Sequence, residues 1–244
     1  MAKYPSAMKN EKEVLELIKE RRSSRVPFDP GRPIAKADLD KILEAGSWAP
    51  TAHNMQNFEI VIVDDGKVLK KISKIKGQIS MTFIKENYTQ LSFSKEELLK
   101  KKTGIMGNMF PRSWVTPGAK IDKNSDTRPM FSSPLLSVVL YDPAKRAPAS
   151  GGDFLGIMSL GCVMENMWIM ASALGLSFHV VSSLGSGSME KEVKRILGIP
   201  KRLRIAFTFR LGYPAAKPET YLRVRRDIQD FTHRNRYRRR TSGR

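Results

Sequence analysis

The chain has 244 residues, and 41% of them are hydrophobic, enough for a packed core and too many for a disordered chain. Lys and Arg total 43 against 24 acids, a formal charge of +19, which favours anionic partners without choosing among nucleic acid, an acidic membrane face and phosphorylated ligands. Cys162 is the only cysteine, which excludes an internal disulfide and a cysteine-rich zinc site and fits a reducing, cytoplasmic setting.

Met1 to Lys12 lacks the apolar core of a signal peptide, and no run of about 18 residues is free of polar breaks, so no membrane span is expected. One domain, 1–244, with an insert and an extended arm is the natural reading.

The elements follow in chain order. Val14, Leu15, Leu17 and Ile18 recur at helical spacing and predict an amphipathic helix from Glu11 to about Arg22. It runs into Arg21-Arg22-Ser23-Ser24-Arg25, and Pro27 and Pro30 take the chain out of helix. Leu39, Ile42 and Leu43 mark a second helix, about Lys36 to Gly46. Trp48 to Asn57 is polar, contains a proline and reads as loop. Phe58 to Val63 is a β-branched run closed by Asp64-Asp65-Gly66, a strand and turn. Lys67 to Lys76 is a basic helix candidate. Ser94-Lys95-Glu96-Glu97 has the form of a capping box. Met106 to Gly118, within a stretch, 77–130, where periodicity weakens, reads as an irregular insert of the kind that forms lids and binding loops.

Leu135 to Tyr141 is a strand. Phe154 to Leu174 is apolar on nearly all sides, but Asp153, Glu165 and Asn166 favour a buried central or dimer-core helix over a membrane span. Phe178 to Val181 is a strand, Ser188 to Leu197 a helix stopped by Gly198 with Pro200 beyond, and Leu203 to Leu211 the last strand. A basic arm, 213–244, contains one short helix near Asp227 to His233. Short strands alternating with helices indicate an α/β or α+β sandwich.

Several chemistries find no support. There is no Gly-x-x-x-x-Gly-Lys-Ser/Thr loop, and no strand is followed by Gly-x-Gly-x-x-Gly. His53, His179 and His233 lack metal-ligand spacing, and no nucleophile elbow is present. An RNA-recognition strand with interleaved aromatics is also missing.

Two segments carry a resemblance. Arg21-Arg22-Ser23-Ser24-Arg25 directly follows the first helix. Ala49-Pro50-Thr51-Ala52-His53-Asn54-Met55-Gln56 comes about 25 residues later and runs straight into a strand. In this order and context the chain resembles the nitroreductase family. The likeness continues through the central helix, Ser183-Leu184-Gly185 and Leu211-Gly212-Tyr213-Pro214, and is poorest from Gly77 to Met130.

The resemblance implies an α+β, nitroreductase-like sandwich: a mixed central sheet flanked by helices, interlocked as a homodimer with FMN at the interface. Arg21, Arg22 and Ser23 would hold the phosphate and ribityl end, since arginine keeps its charge and offers a fixed fork of donors. Arg25 would stand at the ring edge and favour the reduced flavin. Pro50, Thr51, Asn54 and Gln56 would reach the flavin of the partner subunit. Leu184 and Gly185 would lie beneath the ring, and Arg225 (or its neighbour Arg223) would return to the phosphate. Asn57 stands where the family usually has proline, so a looser loop is expected there.

Each assignment has a plainer rival. The arginines could complement the helix dipole, Asn54 could bond its own loop, Leu184-Gly185 could be a simple turn, and Arg225 a solvated charge. Trp48 and Trp168 read as packing residues, the central-helix methionines as core, and Cys162 as a buried inert thiol. Phe110, Arg112 and Trp114 could shape an acceptor pocket or pack their loop.

The implied activity is ping-pong electron transfer from NAD(P)H to a small electron-poor acceptor, a nitroaromatic or quinone, with no side chain acting as a catalytic acid or base. Reductive dehalogenation, flavin fragmentation, deazaflavin use and flavin storage or sensing are alternatives on the same fold. The charge alone suggests a nucleic-acid or anionic-surface binder; the resemblance places that second, and no nucleic-acid or membrane partner is expected.

Overall fold

Alternating side chains place apolar residues on both faces of one sheet, and helices cover each face. The computed structural model describes residues 10–24, 26–75, 95–100, 132–215 and 224–237. These fall into two units, residues 10–75 with 132–215, and residues 95–100 with 224–237. Arg25, Ser94, Arg223 and the expected insert, with Phe110, Arg112 and Trp114, lie outside the described residues.

The first unit contains helices α1 (Glu11–Glu20), α2 (Lys36–Ser47) and α3 (Gly66–Ser73), and strand β1 (Glu59–Val63). Strand β2 (Leu135–Tyr141), helix α5 (Phe154–Ala173), strand β3 (Ser177–Val180), helix α6 (Gly187–Leu197) and strand β4 (Arg204–Gly212) follow. The strand order is β1-β2-β4-β3, and every ladder is antiparallel. The α+β class is therefore as expected. Among the described residues the sheet's mixed character is confined to one isolated parallel bridge, Ser23 to Phe178.

A register shift between Val139 and Leu140 leaves Ala206 as an extra residue on β4. A bulge of this kind reverses the facing pattern beyond it. Ile205 thus joins the core with Leu136, Val138 and Leu140, while Phe209 and Leu211 join the core with Leu135 and Val139.

The first core lies under α2 and α5. Met167 and Val163 are fully buried, and a Cβ on Gly46 would stand 2.9 Å from Met167 Cγ, so α2 and α5 cross closely. Trp168, Phe178 and Phe209 stack in series, with centroid separations of 4.8 and 4.3 Å. The second core, under α3 and α6, is aliphatic, with Val63, Ile72, Val193 and Leu203 among its members.

Element boundaries differ from expectation for local reasons. Helix α3 begins at Gly66 because the Asp65 carboxylate accepts the N–H groups of Lys67 and Val68 at 2.6 and 3.1 Å. Helix α1 stops at Glu20, since Arg21 is already extended (φ −49°, ψ 127°). Helix α6 ends as expected, on Gly198 at φ +67°.

Three burial expectations change. Trp48 is 78% exposed rather than packed, Cys162 is only half-buried, and Met158 at 52% is surface, not core. Helix α5 is long and apolar enough to span a membrane by composition, yet Leu160, Val163, Met167, Trp168 and Ala171 are buried in this core. Its Phe154, Ile157 and Met158, spaced one face apart, are exposed. Val14, Leu15 and Ile18 of α1, which packs on α5, are exposed too.

In the second unit, α4 spans Lys95–Lys100 and α7 spans Ile228–Phe231. Asp227 and Asp230 form a reciprocal capping box on α7, and Arg226 stacks over Phe231 at 5.5 Å.

Candidate functional site

Beyond α1 the chain runs against α5 and β3. The Arg21 N–H donates to Leu17 O at 3.0 Å and closes the last helical turn. Trp168 Nε1 donates to the carbonyl of Arg22 at 3.2 Å. Ser23 bridges to Phe178, and the Ser24 N–H donates to Phe178 O at 3.0 Å. The backbone of the arginine segment is thus pinned at three successive residues.

The Arg21 guanidinium lies 4.4 Å over the Trp168 ring, and its Nε is 3.1 Å from Glu165 Oε1. Arg22 points to solvent and is exposed. Ser24 is 5% exposed, and its Oγ has no hydrogen-bond partner among the described residues. A buried hydroxyl without a partner is rare enough to require a reason.

The second segment is a strained loop. His53, Asn54 and Gln56 have φ of 51°, 53° and 45°, three side-chain-bearing residues in the left-handed region within four positions. Asparagine and histidine tolerate this region; glutamine has no such preference. Conformations of this kind persist only where surroundings impose them, and they gather at ligand sites.

The surroundings here are specific. Ala52 N–H donates to Ser159 Oγ on α5 at 2.9 Å. The Gln56 N–H donates to Thr51 Oγ1 at 3.2 Å, and Gln56 Nε2 to Asn54 Oδ1 at 3.1 Å. Asn54 therefore does bond within its own loop, while remaining exposed, as do Pro50 and Gln56. Asn57 does not loosen the loop. Its Nδ2 donates to the carbonyls of Asp142 and Lys145 at 2.9 and 3.0 Å, and its Oδ1 accepts the Asp142 N–H at 3.1 Å. A proline side chain could make none of these bonds.

Both segments are moored on α5, the loop at Ser159 and the arginines at Glu165 and Trp168. At 1.5 Å per residue these moorings are roughly 9 to 13 Å apart along the helix.

Leu184 and Gly185 form a 3₁₀ turn, Ser182–Gly185, after β3. Leu184 is 3% exposed, its side chain in the second core, which leaves only its backbone for a ligand. A Cβ on Gly185 would lie 3.3 Å from Ile205 Cγ2, so this turn sits hard against β4. Leu184 also borders a cavity of about 30 Å³ lined by Ile72, Ser133, Met189 and Arg210. Arg225 belongs to the second unit, where its exposed guanidinium donates to the carbonyl of Val224 at 2.8 Å.

Sequence reasoning missed three residues here: Ser159, Asn57 as a tether, and Arg210. Arg210 left a signal, a lone charge within the apolar run Phe207 to Leu211.

The sequence model of the nitroreductase family matches residues 18–213, and the chain belongs to that family. A curated protein of Archaeoglobus fulgidus, provisionally named an NADH dehydrogenase/NAD(P)H nitroreductase, is 25% identical over 92% of this chain and 99% of its own. Among solved structures, a nitroreductase with bound FMN from Bacteroides fragilis aligns with TM-score 0.55 at 22% identity, covering 88% of this chain and 96% of that one. An FMN-dependent nitroreductase from Clostridium difficile aligns with TM-score 0.57 at 17% identity, covering 91% of this chain and 99% of that one.

Proposed function

We propose that this protein is an FMN-dependent oxidoreductase that works as a homodimer, taking electrons from NAD(P)H and passing them to a small electron-poor acceptor in ping-pong fashion. Bound FMN would supply the hydride chemistry. The observation that carries the reading is the pinned Arg21–Ser24 segment, with Arg22 exposed and the buried Ser24 hydroxyl without a partner among the described residues. Such donors suit a phosphate dianion and a polyhydroxyl chain.

On this reading the residues bind and orient. Arg21, Arg22, Ser23 and Ser24 hold the phosphate and ribityl end, and Arg25 adds charge at the ring edge. The turn at Leu184–Gly185 offers backbone rather than side chain to the ring. Pro50, Thr51, Asn54 and Gln56 project to the partner's site; Pro50, Asn54 and Gln56 are exposed, and the loop's mooring lies about two turns of helix from those of the arginines. The exposed apolar residues of α1 and α5, with Trp48, supply an apolar surface for the second subunit.

The test is an absorbance spectrum and FMN titration of the purified protein. The Arg21→Ala/Arg22→Ala double variant should lose about a hundredfold or more in FMN affinity, since each charged hydrogen bond contributes about 1.5–3 kcal/mol. Full affinity in that variant would remove the phosphate assignment, and no flavin binding by the parent would remove the whole reading.

A further inference from the structure

Arg210 of β4 is 1% exposed, deep in the first unit. Among the described residues no carboxylate pairs with it, and burial pulls its pKa down to about 9, which leaves it charged at neutral pH. A buried charge without a counter-charge persists only when its donors are well used.

They are used on three separate segments. Nε donates to His179 Nδ1 on β3 at 2.9 Å, which makes that nitrogen the acceptor and puts the neutral ring's proton on Nε2. Nη1 donates to Ser132 O, just before β2, at 2.8 Å. Nη2 donates to Val26 O at 2.6 Å. The guanidinium carbon also lies 4.1 Å over the ring of Phe28, which is fully buried.

The third contact matters most, because Val26 directly follows Arg25. Phe28 is held as well: its N–H donates to Ser132 O at 2.9 Å, and its Cβ lies 3.0 Å from where a Gly212 Cβ would be. The arginine segment is therefore anchored upstream by Trp168 and Phe178 and downstream by Arg210. We propose that Arg210 is a positioning residue for the cofactor segment: by holding Val26 and Phe28 it fixes where Arg21 to Ser24 stand toward FMN. This rests on the FMN reading above. The planar fork is essential to the role, because three acceptors are spread around it and a lysine, with all its donors on one nitrogen, cannot reach them together.

The experiment compares the parent with Arg210→Lys, Arg210→Met and Ile72→Val, a control in the second core. It reads thermal stability, amide exchange at Ser24 and Phe28, and affinity for oxidised and for chemically reduced FMN. In the arginine variants, exchange at Ser24 and Phe28 should speed up and affinity for oxidised FMN fall about tenfold. Affinity for reduced FMN should fall further, because the displaced segment carries the cations that favour the more negative form. General destabilisation would leave the ratio of the two affinities unchanged.

If Arg210→Lys or Arg210→Met folds, yet both affinities and both exchange rates follow the Ile72→Val control, the proposal is overturned. If Arg210→Met does not fold, Arg210→Lys decides. If the parent binds no FMN, the flavin reading falls, and unchanged exchange at Ser24 and Phe28 would separately sink the anchoring by Arg210.

Discussion

The two faces of the sheet are buried by different means. Under α2 and α5 the core is aromatic and wired to the candidate site: Trp168 stacks on Phe178, carries the Arg21 guanidinium and bonds the Arg22 carbonyl. Under α3 and α6 the core is aliphatic, and its polar groups are held in closed pairs. There Glu190, 6% exposed, accepts from Arg204 Nε at 2.9 Å and from the Ile205 N–H at 3.1 Å. The aromatic face is thus continuous with the arginine segment along α5, while the aliphatic face meets that segment at Arg210, which pairs with Leu136 and bonds the Val26 carbonyl. The difference predicts that damage to the aromatic core reaches binding and stability together, and damage to the aliphatic core away from Arg210 reaches stability alone.

The largest effect should come from Trp168→Ala. It removes a stacked ring, a cation–π contact and a bond to the arginine segment, and should cost about 3–5 kcal/mol in denaturant unfolding. FMN affinity should drop with it. A variant destabilised that far with unchanged affinity would break the comparison.

Glu190→Gln should come next, at about 1–3 kcal/mol, with a pH signature. Burial raises the Glu190 pKa, but the Arg204 hydrogen bond, the Ile205 N–H and the charges of Arg204 and Lys194 outweigh it, leaving the value below the ordinary 4.5. A carboxylate with a depressed folded pKa contributes stability that is complete above its ordinary value. That stability is lost as pH falls through the folded one. Urea midpoints should therefore decline below about pH 4.5 more steeply in the parent than in the variant, with FMN affinity at neutral pH unaffected. Parallel declines would show that Glu190 is not the group responsible.

The smallest effect belongs to Ile72→Val, about 0.5–1.5 kcal/mol with no change in FMN affinity. A binding defect in this variant would mean that the aliphatic core is coupled to the arginine segment through the cavity that Ile72 and Arg210 both line.

Most of the fold was legible because it rests on local pattern. A β-branched run became β1, the apolar run Leu135 to Tyr141 became β2, helical spacing became α1 and α2, and Gly198 stopped α6 where a left-handed residue was needed. The bulge at Ala206 was not legible. It arises from pairing with a strand some 65 residues earlier, and no local signal marks which residue is extra. Exposure of Trp48, Ile157 and Met158 was equally hidden, since an apolar residue in sequence does not say whether its own chain or another surface covers it.

At the site, the two segments were visible as residues but not as geometry. Nothing in Asn57 announces that it bonds two carbonyls and an N–H some 85 residues away. The partner of Arg21 could not be read either, because Glu165 lies across a helix packing whose register only the folded chain sets.

That last pair has a consequence for selectivity. Arg21 lies against a carboxylate, so on the proposed reading an anion recruited there meets the negative charge of Glu165 beside the same guanidinium. A doubly charged phosphate is better able than a singly charged anion to overcome that negative neighbour. The pair thus acts as a threshold, trading affinity for discrimination. Removing the competitor, as in Glu165→Gln, should tighten the grip on phosphate and weaken the distinction between phosphate and acetate. Paired titrations would read this directly.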